Sequence, residues 1–377
     1  MKINWVHFYV EDAKAWRDWF VSHLGFQAVK SSTLLTPFIY TNNGSCFHTC
    51  TEAVKSGSVC FLLSSPLLPI SPVADFLRQH PPGVADVAFV IEDVEAAIAH
   101  AQAYGAKVLQ PIQYHQQADR YIKWSKIAAW GSLTHTLIER GSLTNAVSED
   151  ADNSETLFSA SPRPHLPVSS YITAIDHIVL NVAVGDLERA VTWYEKILDF
   201  QPQQTFKIQT DRSSLYSQVM VSRYGDVQLP INEPASANSQ IQEFLNVNQG
   251  PGIQHIALRT ANIVTAIAQF RACGLSLLPV PQSYYLQLKE RPELPLSGAE
   301  LEAIAQQEIL VDWNQKTPHA LLLQIFTQPI FGQPTFFFEF IERRRQAQGF
   351  GEGNFQALFE AIEREQMKRG SFLEARE

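Results

Sequence analysis

The chain has 377 residues, of which 45% are hydrophobic and 18% charged, and its formal net charge is −9 at pH 7. That length allows two or more domains with separate cores, and the composition lies well away from that of disordered chains. The acidic balance excludes nucleic acid and anionic membranes as main partners, since both call for clustered Lys and Arg.

The first predicted strand spans residues 5–10 around His7. It leads into a helical stretch in which Trp16, Trp19, Phe20 and Leu24 share a face, ending at Gly25 and Phe26. The segment is amphipathic from its start, so no secretory leader is expected. Cys46 and Cys50 flank His48, but a zinc site needs a second ligand pair, and only Cys60 and Cys273 remain. Buried or surface thiols are expected. A strand at 83–90 carries Asp86 and leads into a helix ending at Gly105, where glycine suits a left-handed cap. A further strand runs over 133–140.

Residues 146–170, rich in Ser, Asp, Glu and Pro, read as a linker. The pattern then returns. A strand carries His177, 170 residues after His7, and precedes a helix with Leu187, Ala190, Tyr194, Ile197 and Leu198 on one face. Another carries His255, 169 residues after Asp86, and precedes a helix ending at Gly274. Two landmarks at nearly the same offset indicate an internal duplication. The expected organisation is a non-catalytic domain at 1–145, a catalytic domain at 171–345 and a C-terminal gating helix and tail at 346–377. Gly349, Gly351 and Gly353 are the expected hinge, and Phe355, Leu358, Phe359 and Ile362 the helix's apolar face. The fold class is α+β: two tandem βαβββ repeats, each a half-open barrel, plus the C-terminal helix. The longest apolar runs, 320–326 and 334–341, are strand-length and far short of the roughly 20 residues of a membrane span, so a cytoplasmic location is expected.

In the second half, strand alternation places His177 with Val179 and Asn181 on one face, and Glu339 with Phe337 and Ile341 on another. An acid set among apolar residues is rarely buried without a cation or partner. Two imidazoles and a carboxylate form the facial triad of non-haem iron(II) oxygenases, which leaves three coordination positions open. The first half serves as an internal control: it keeps His7 but has Asp86 in place of His255 and Thr136 in place of Glu339. The shared fold therefore does not require the triad. His7, His23 and His135, taken singly, read as structural.

Gln324 and Phe326 fall on one face of an apolar strand, and a buried amide needs partners. Residues 229–234, with Asn232, carry a turn signature; Ser217 and Gln240 are unremarkable alone. The run Glu342-Arg343-Arg344-Arg345 reads as a solvated face or an oligomer contact.

Residues 252–258, 321–327, 334–339 and above all 349–360, beginning Gly-Phe-Gly-Glu-Gly-Asn-Phe, resemble the 4-hydroxyphenylpyruvate dioxygenase family, as do 229–234 and the stretch with Tyr284, Tyr285, Leu288 and Arg291. The resemblance covers the second domain and the tail, and more faintly the first domain. It implies the vicinal oxygen chelate fold and a homo-oligomeric enzyme with Fe(2+) on His177, His255 and Glu339. Its substrates would be 4-hydroxyphenylpyruvate and O2, its products homogentisate and CO2, formed by oxidative decarboxylation, ring hydroxylation and side-chain migration. It further implies catalytic roles for Gln324, Asn232 and Ser217, and substrate binding by Gln240, Gln254, Phe326, Phe337, Asn354 and Phe355. Strict alternation, however, sets Gln254 on the face opposite His255. The alternatives are 4-hydroxymandelate synthase, an extradiol catechol dioxygenase, and a non-catalytic small-molecule binding protein of the same fold.

Overall fold

A computed structural model describes residues 1–29, 48–143, 170–210, 212–225, 227–291, 294–313 and 320–370. The expected linker, except Ser170, lies outside these residues, as do Cys46, the last seven residues and the side chain of Leu358. The described cysteines Cys50, Cys60 and Cys273 are free thiols.

Two curled sheets of eight strands carry the fold. The first contains β1 (Lys2–Tyr9), β2 (Gln27–Val29), β3 (Thr49–Ser56), β4 (Val59–Pro66), β5 (Gly83–Val90), β6 (Val108–Gln117), β7 (Arg120–Ala128) and β8 (Thr134–Ser142). The second contains β9 (Ile172–Asn181), β10 (Phe200–Gln209), β11 (Ser214–Ser222), β12 (Gln228–Pro234), β13 (Gly252–Thr260), β14 (Leu310–Trp313), β15 (Leu321–Phe326) and β16 (Phe337–Arg344). Strand order is β2-β3-β4-β1-β5-β8-β7-β6 in one and β10-β11-β12-β9-β13-β16-β15-β14 in the other. Adding eight to each label converts the first order into the second, so the duplication extends to the topology. The α+β, tandem-repeat expectation holds.

Local chemistry sets the helix ends. Asp12 accepts the backbone N–H of Lys14 and Ala15 at the start of the helix Ala13–Leu24, and Gly25 closes it in the left-handed region at φ 68°. Gly105 and Gly274 have φ of 84° and 87°, the conformation expected of them just past a helix end. The last strand of each sheet also caps a helix. Glu139 accepts the Val94 N–H at 3.0 Å, and Glu342 accepts that of Ile263 at 2.7 Å. A carboxylate at a helix N-terminus satisfies a free donor and meets the positive end of the dipole. Glu342 is therefore buried and engaged, not on a solvated face.

In the first unit His135 is 1% exposed and its Nδ1 donates to the Val87 carbonyl at 3.0 Å. Burial lowers its pKa to about 4, although that hydrogen bond favours the charged form. The unfolded chain therefore binds a proton near pH 6.5 that the native one refuses until about pH 4. Stability is complete above 6.5 and falls with pH through that window, by about 1.4 kcal/mol per pH unit. Burial lowers the pKa of His7 to about 3, so it adds a slope of the same sign; denaturant titrations between pH 7 and 4 should show the sum, and H135Q should remove only the His135 share.

Candidate active site

Strand β13 lies between β9 and β16, antiparallel to the first and parallel to the second. Its Ala257 pairs with His177 on one side and with Glu339 on the other, so these two side chains face each other over a methyl group. His255 sits two pairs further along, between Val179 and Phe337. The result is a convergence: one donor atom each from His177, His255 and Glu339, all within 4.8 Å of one another. Glu339 Oε2 is 3.2 Å from His177 Nε2 and 3.7 Å from His255 Nε2.

The far sides of these groups are held in turn. His177 Nδ1 donates to Asp176 Oδ1 at 3.0 Å, and His255 Nδ1 to Gln254 Oε1 at 3.4 Å. Gln324 Nε2 donates to Glu339 Oε1 at 2.9 Å, which leaves Oε2 for the histidines. Orientation by such outer partners characterises metal-binding imidazoles. Neighbouring residues can share a face here because the β9–β13 register slips. Ile253 pairs with Leu180 and His255 with Val179, which skips Gln254; Ala257 pairs with His177 and Leu258 with Ile175, which skips Asp176. The slip corrects the expectation from strict alternation: Gln254 and His255 line the same cavity.

All three converging side chains are buried, at 3%, 9% and 2% exposure. Burial opposes a charge on His177, yet the Glu339 carboxylate and Asp176 outweigh it and raise its pKa to about 9. His255 moves the other way, driven well below its ordinary value by burial and by the charge on His177. Asp176 loses solvation, but Arg343 and His177 hold its carboxyl far below the usual carboxylate range. Two nitrogens and one carboxylate oxygen, each with its other polar atom engaged, suit a divalent cation of the late first transition row.

Beside the triad is a cavity. Among the anticipated residues, Ser217, Asn232, Gln240, Gln254, Gln324, Phe326, Phe337 and Phe355 line it. Phe337 stacks on His255 with ring centres 4.7 Å apart. Asn354 is 1% exposed and is not among the lining residues; its Nδ2 donates to Gln324 Oε1 at 2.9 Å, and Tyr284 Oη lies 2.9 Å from its Oδ1. It supports Gln324 from behind. Sequence reasoning missed Phe206, Ile208, Leu215, Val219 and Phe350. Phe206 and Ile208 alternate along β10 between exposed polar residues, a signal that was there to be read.

The first sheet shows what the duplicate lacks. Asp86 and Thr136 hold the register positions of His255 and Glu339, as the sequence suggested. The histidine alignment needs correcting. His7 pairs with Asp86 as Val179 pairs with His255, so the counterpart of His177 is Trp5, which pairs with Ala88. A shift of two residues keeps every side chain on its face, so the hydrophobic pattern cannot reveal it. Trp5 and Trp124 pack with Ala88, Ile122 and Ile138 in one core cluster, and Trp124 holds the register position of Gln324. Asp86 accepts hydrogen bonds from Thr134 at 2.7 Å and Thr136 at 2.9 Å, with Lys126 3.7 Å away.

Comparison with known proteins agrees with the tandem fold. The Glyoxalase/Bleomycin resistance protein/Dioxygenase superfamily matches residues 2–125 and again 176–286. The 4-hydroxyphenylpyruvate dioxygenase of Caenorhabditis elegans is 37% identical over 381 aligned positions, gaps included, an alignment that covers 97% of this chain and 92% of that one. The enzyme of the same name from Danio rerio is 35% identical over 384 aligned positions, gaps included, covering 98% of this chain and 92% of that one. A mutant of 4-hydroxymandelate synthase from Streptomyces coelicolor superposes with a TM-score of 0.77 at 25% identity, covering 97% of this chain and 98% of that one.

Proposed function

This chain belongs to the 4-hydroxyphenylpyruvate dioxygenase family, and we propose that it converts 4-hydroxyphenylpyruvate and O2 to homogentisate and CO2 at an iron(II) held by His177, His255 and Glu339. One observation carries this reading: the three donor atoms meet within 4.8 Å beside a cavity lined with rings and amides. When bound, the metal supplies a chelation point for the substrate's 2-oxo acid and the activation of dioxygen, for which the triad leaves three positions.

The chain's own residues do the rest. His177 and His255 offer Nε2 because Asp176 and Gln254 engage Nδ1. Gln324 keeps Glu339 from turning its second oxygen inward. The aromatic ring of the substrate packs among Phe326, Phe337, Phe350 and Phe355, which also keep water from the reacting carbons. Ser217, Asn232, Gln240 and Gln254 present hydroxyl and amide groups to the oxo acid and the phenol. Asn232 Nδ2 lies 3.5 Å from Asn181 Oδ1, so a neighbouring amide steadies it. The helix Phe355–Arg369 acts as a lid, with Phe355 and Phe359 on its cavity side. Among the described residues no helix is long and apolar enough to cross a membrane. A cytoplasmic location, a homo-oligomeric assembly and a place in tyrosine breakdown or in prenylquinone precursor supply belong to the same proposal.

The test is anaerobic addition of 4-hydroxyphenylpyruvate to iron-loaded protein. A visible charge-transfer band should appear, followed by homogentisate when air is admitted. 4-Hydroxymandelate as the product would assign the chain to the synthase chemistry. Failure to take up stoichiometric iron would leave a binding protein.

A further inference from the structure

Arg343 follows Glu339 by four residues on β16, and its side chain is 10% exposed. One edge of its guanidinium grips Asp176: Nε donates to Oδ2 at 2.8 Å and Nη2 to Oδ1 at 2.6 Å. Its remaining nitrogen, Nη1, donates to the carbonyls of Ala347 at 3.1 Å and Gly349 at 2.8 Å. Asp176 holds His177, while Gly349 leads to Phe350, whose ring stands edge-on to His177 at 5.2 Å, and then to the lid helix. A rigid fork of donors is thus shared between the orienting partner of a metal ligand and the lid's hinge.

We infer that Arg343 is a positioning residue that couples metal occupancy at His177 to closure of the C-terminal helix. The inference rests on the metal-site reading above. Neutralising Asp176 does not by itself account for Arg343, because Arg259 already donates to Oδ2 from Nε at 3.1 Å and Nη2 at 2.7 Å. The first sheet offers a comparison. Arg140 holds the same register position, yet the residue in the place of Asp176 is Asn4, whose Oδ1 is 3.5 Å from Arg140 Nη2. The carboxylate partner occurs in the sheet whose next residue is the histidine ligand. Coupling of this kind is reciprocal, so a metal that steadies the hinge is itself bound more tightly when the lid is closed.

Amide hydrogen exchange across residues 347–369, measured on full-length protein with and without iron(II), tests the idea, with chelator competition giving affinity. Loading should slow exchange in the wild type. R343K keeps the charge but cannot span both partners; it should lower metal affinity by about 10–100-fold and abolish the slowing. R259K should weaken the metal while the slowing persists. If R343K does not fold, D176N breaks the same span from its other end and should also abolish the slowing. The inference is overturned if the wild type binds iron without slowing, if R343K or D176N retains it, or if R259K loses it equally. A wild type that binds no iron at all would overturn the metal-site reading first, and the coupling with it.

Discussion

Replacing Glu339 with alanine is expected to weaken metal binding by more than about 10²-fold and to leave no measurable turnover at ordinary iron concentrations. Loss of an outer partner alone costs about 10–100-fold, and Glu339 is the anion that both imidazoles face, at 3.2 and 3.7 Å. Without it two neutral donors remain, too few to hold a ferrous ion against water. A second cost falls on the fold. Gln324 Nε2 loses its shorter hydrogen bond, at 2.9 Å, and keeps only the long one to the Phe350 carbonyl at 3.4 Å; with that residue 2% exposed, its second N–H is left unsatisfied, at a cost of about 1–3 kcal/mol. E339Q separates the two effects, because it keeps the shape and an acceptor but not the charge. It should fold as well as the wild type and still bind iron poorly. Chelator competition and iron content after desalting provide the readouts. An alanine variant with undiminished iron affinity would contradict the ligand assignment.

Gly351→Ala should lower kcat/KM by about 10²-fold or more, from a residue that carries no functional group. Gly351 has φ +79°, and a Cβ there would lie 1.7 Å from Gln324 Oε1 and 2.6 Å from its Cδ. The amide cannot simply swing aside. Its nitrogen holds Glu339 and its oxygen accepts from Asn354 at 2.9 Å, so any retreat releases either Glu339 or Asn354 at the start of the C-terminal helix. The left-handed backbone adds about 1–2 kcal/mol for any residue with a side chain. Steady-state kinetics beside iron content will distinguish a misplaced Gln324 from a lost metal. Wild-type kinetics in this variant would show that the close approach of hinge and amide is dispensable.

Features set by local chemistry were legible in the sequence. Alternation marked the strands, and glycines marked helix ends at Gly105 and Gly274, because both depend on residues adjacent in the chain. Glu339 pointed to the candidate site because a carboxylate amid phenylalanines demands a partner. What stayed hidden depends on pairing between distant segments. The equation of His7 with His177 failed by two residues, a slip that leaves the pattern unchanged. Gln254 looked misplaced because a register slip between β9 and β13 leaves no trace in composition. Arg343 passed for surface charge because its carboxylate partner lies 167 positions earlier in the chain. Asn354 looked like a substrate contact, since nothing local says that its amide faces Gln324 and Tyr284.

The pairing of Trp5 with Ala88 implies something about the amino-terminal half. It retains the architecture of a binding cup, down to the waiting guanidinium of Arg140, but the bowl has been plugged with indole. Converting it to its twin is therefore a matter of excavation before decoration. Ligands grafted at Trp5, Asp86 and Thr136 would find no hollow to serve until Trp124 was also cleared away.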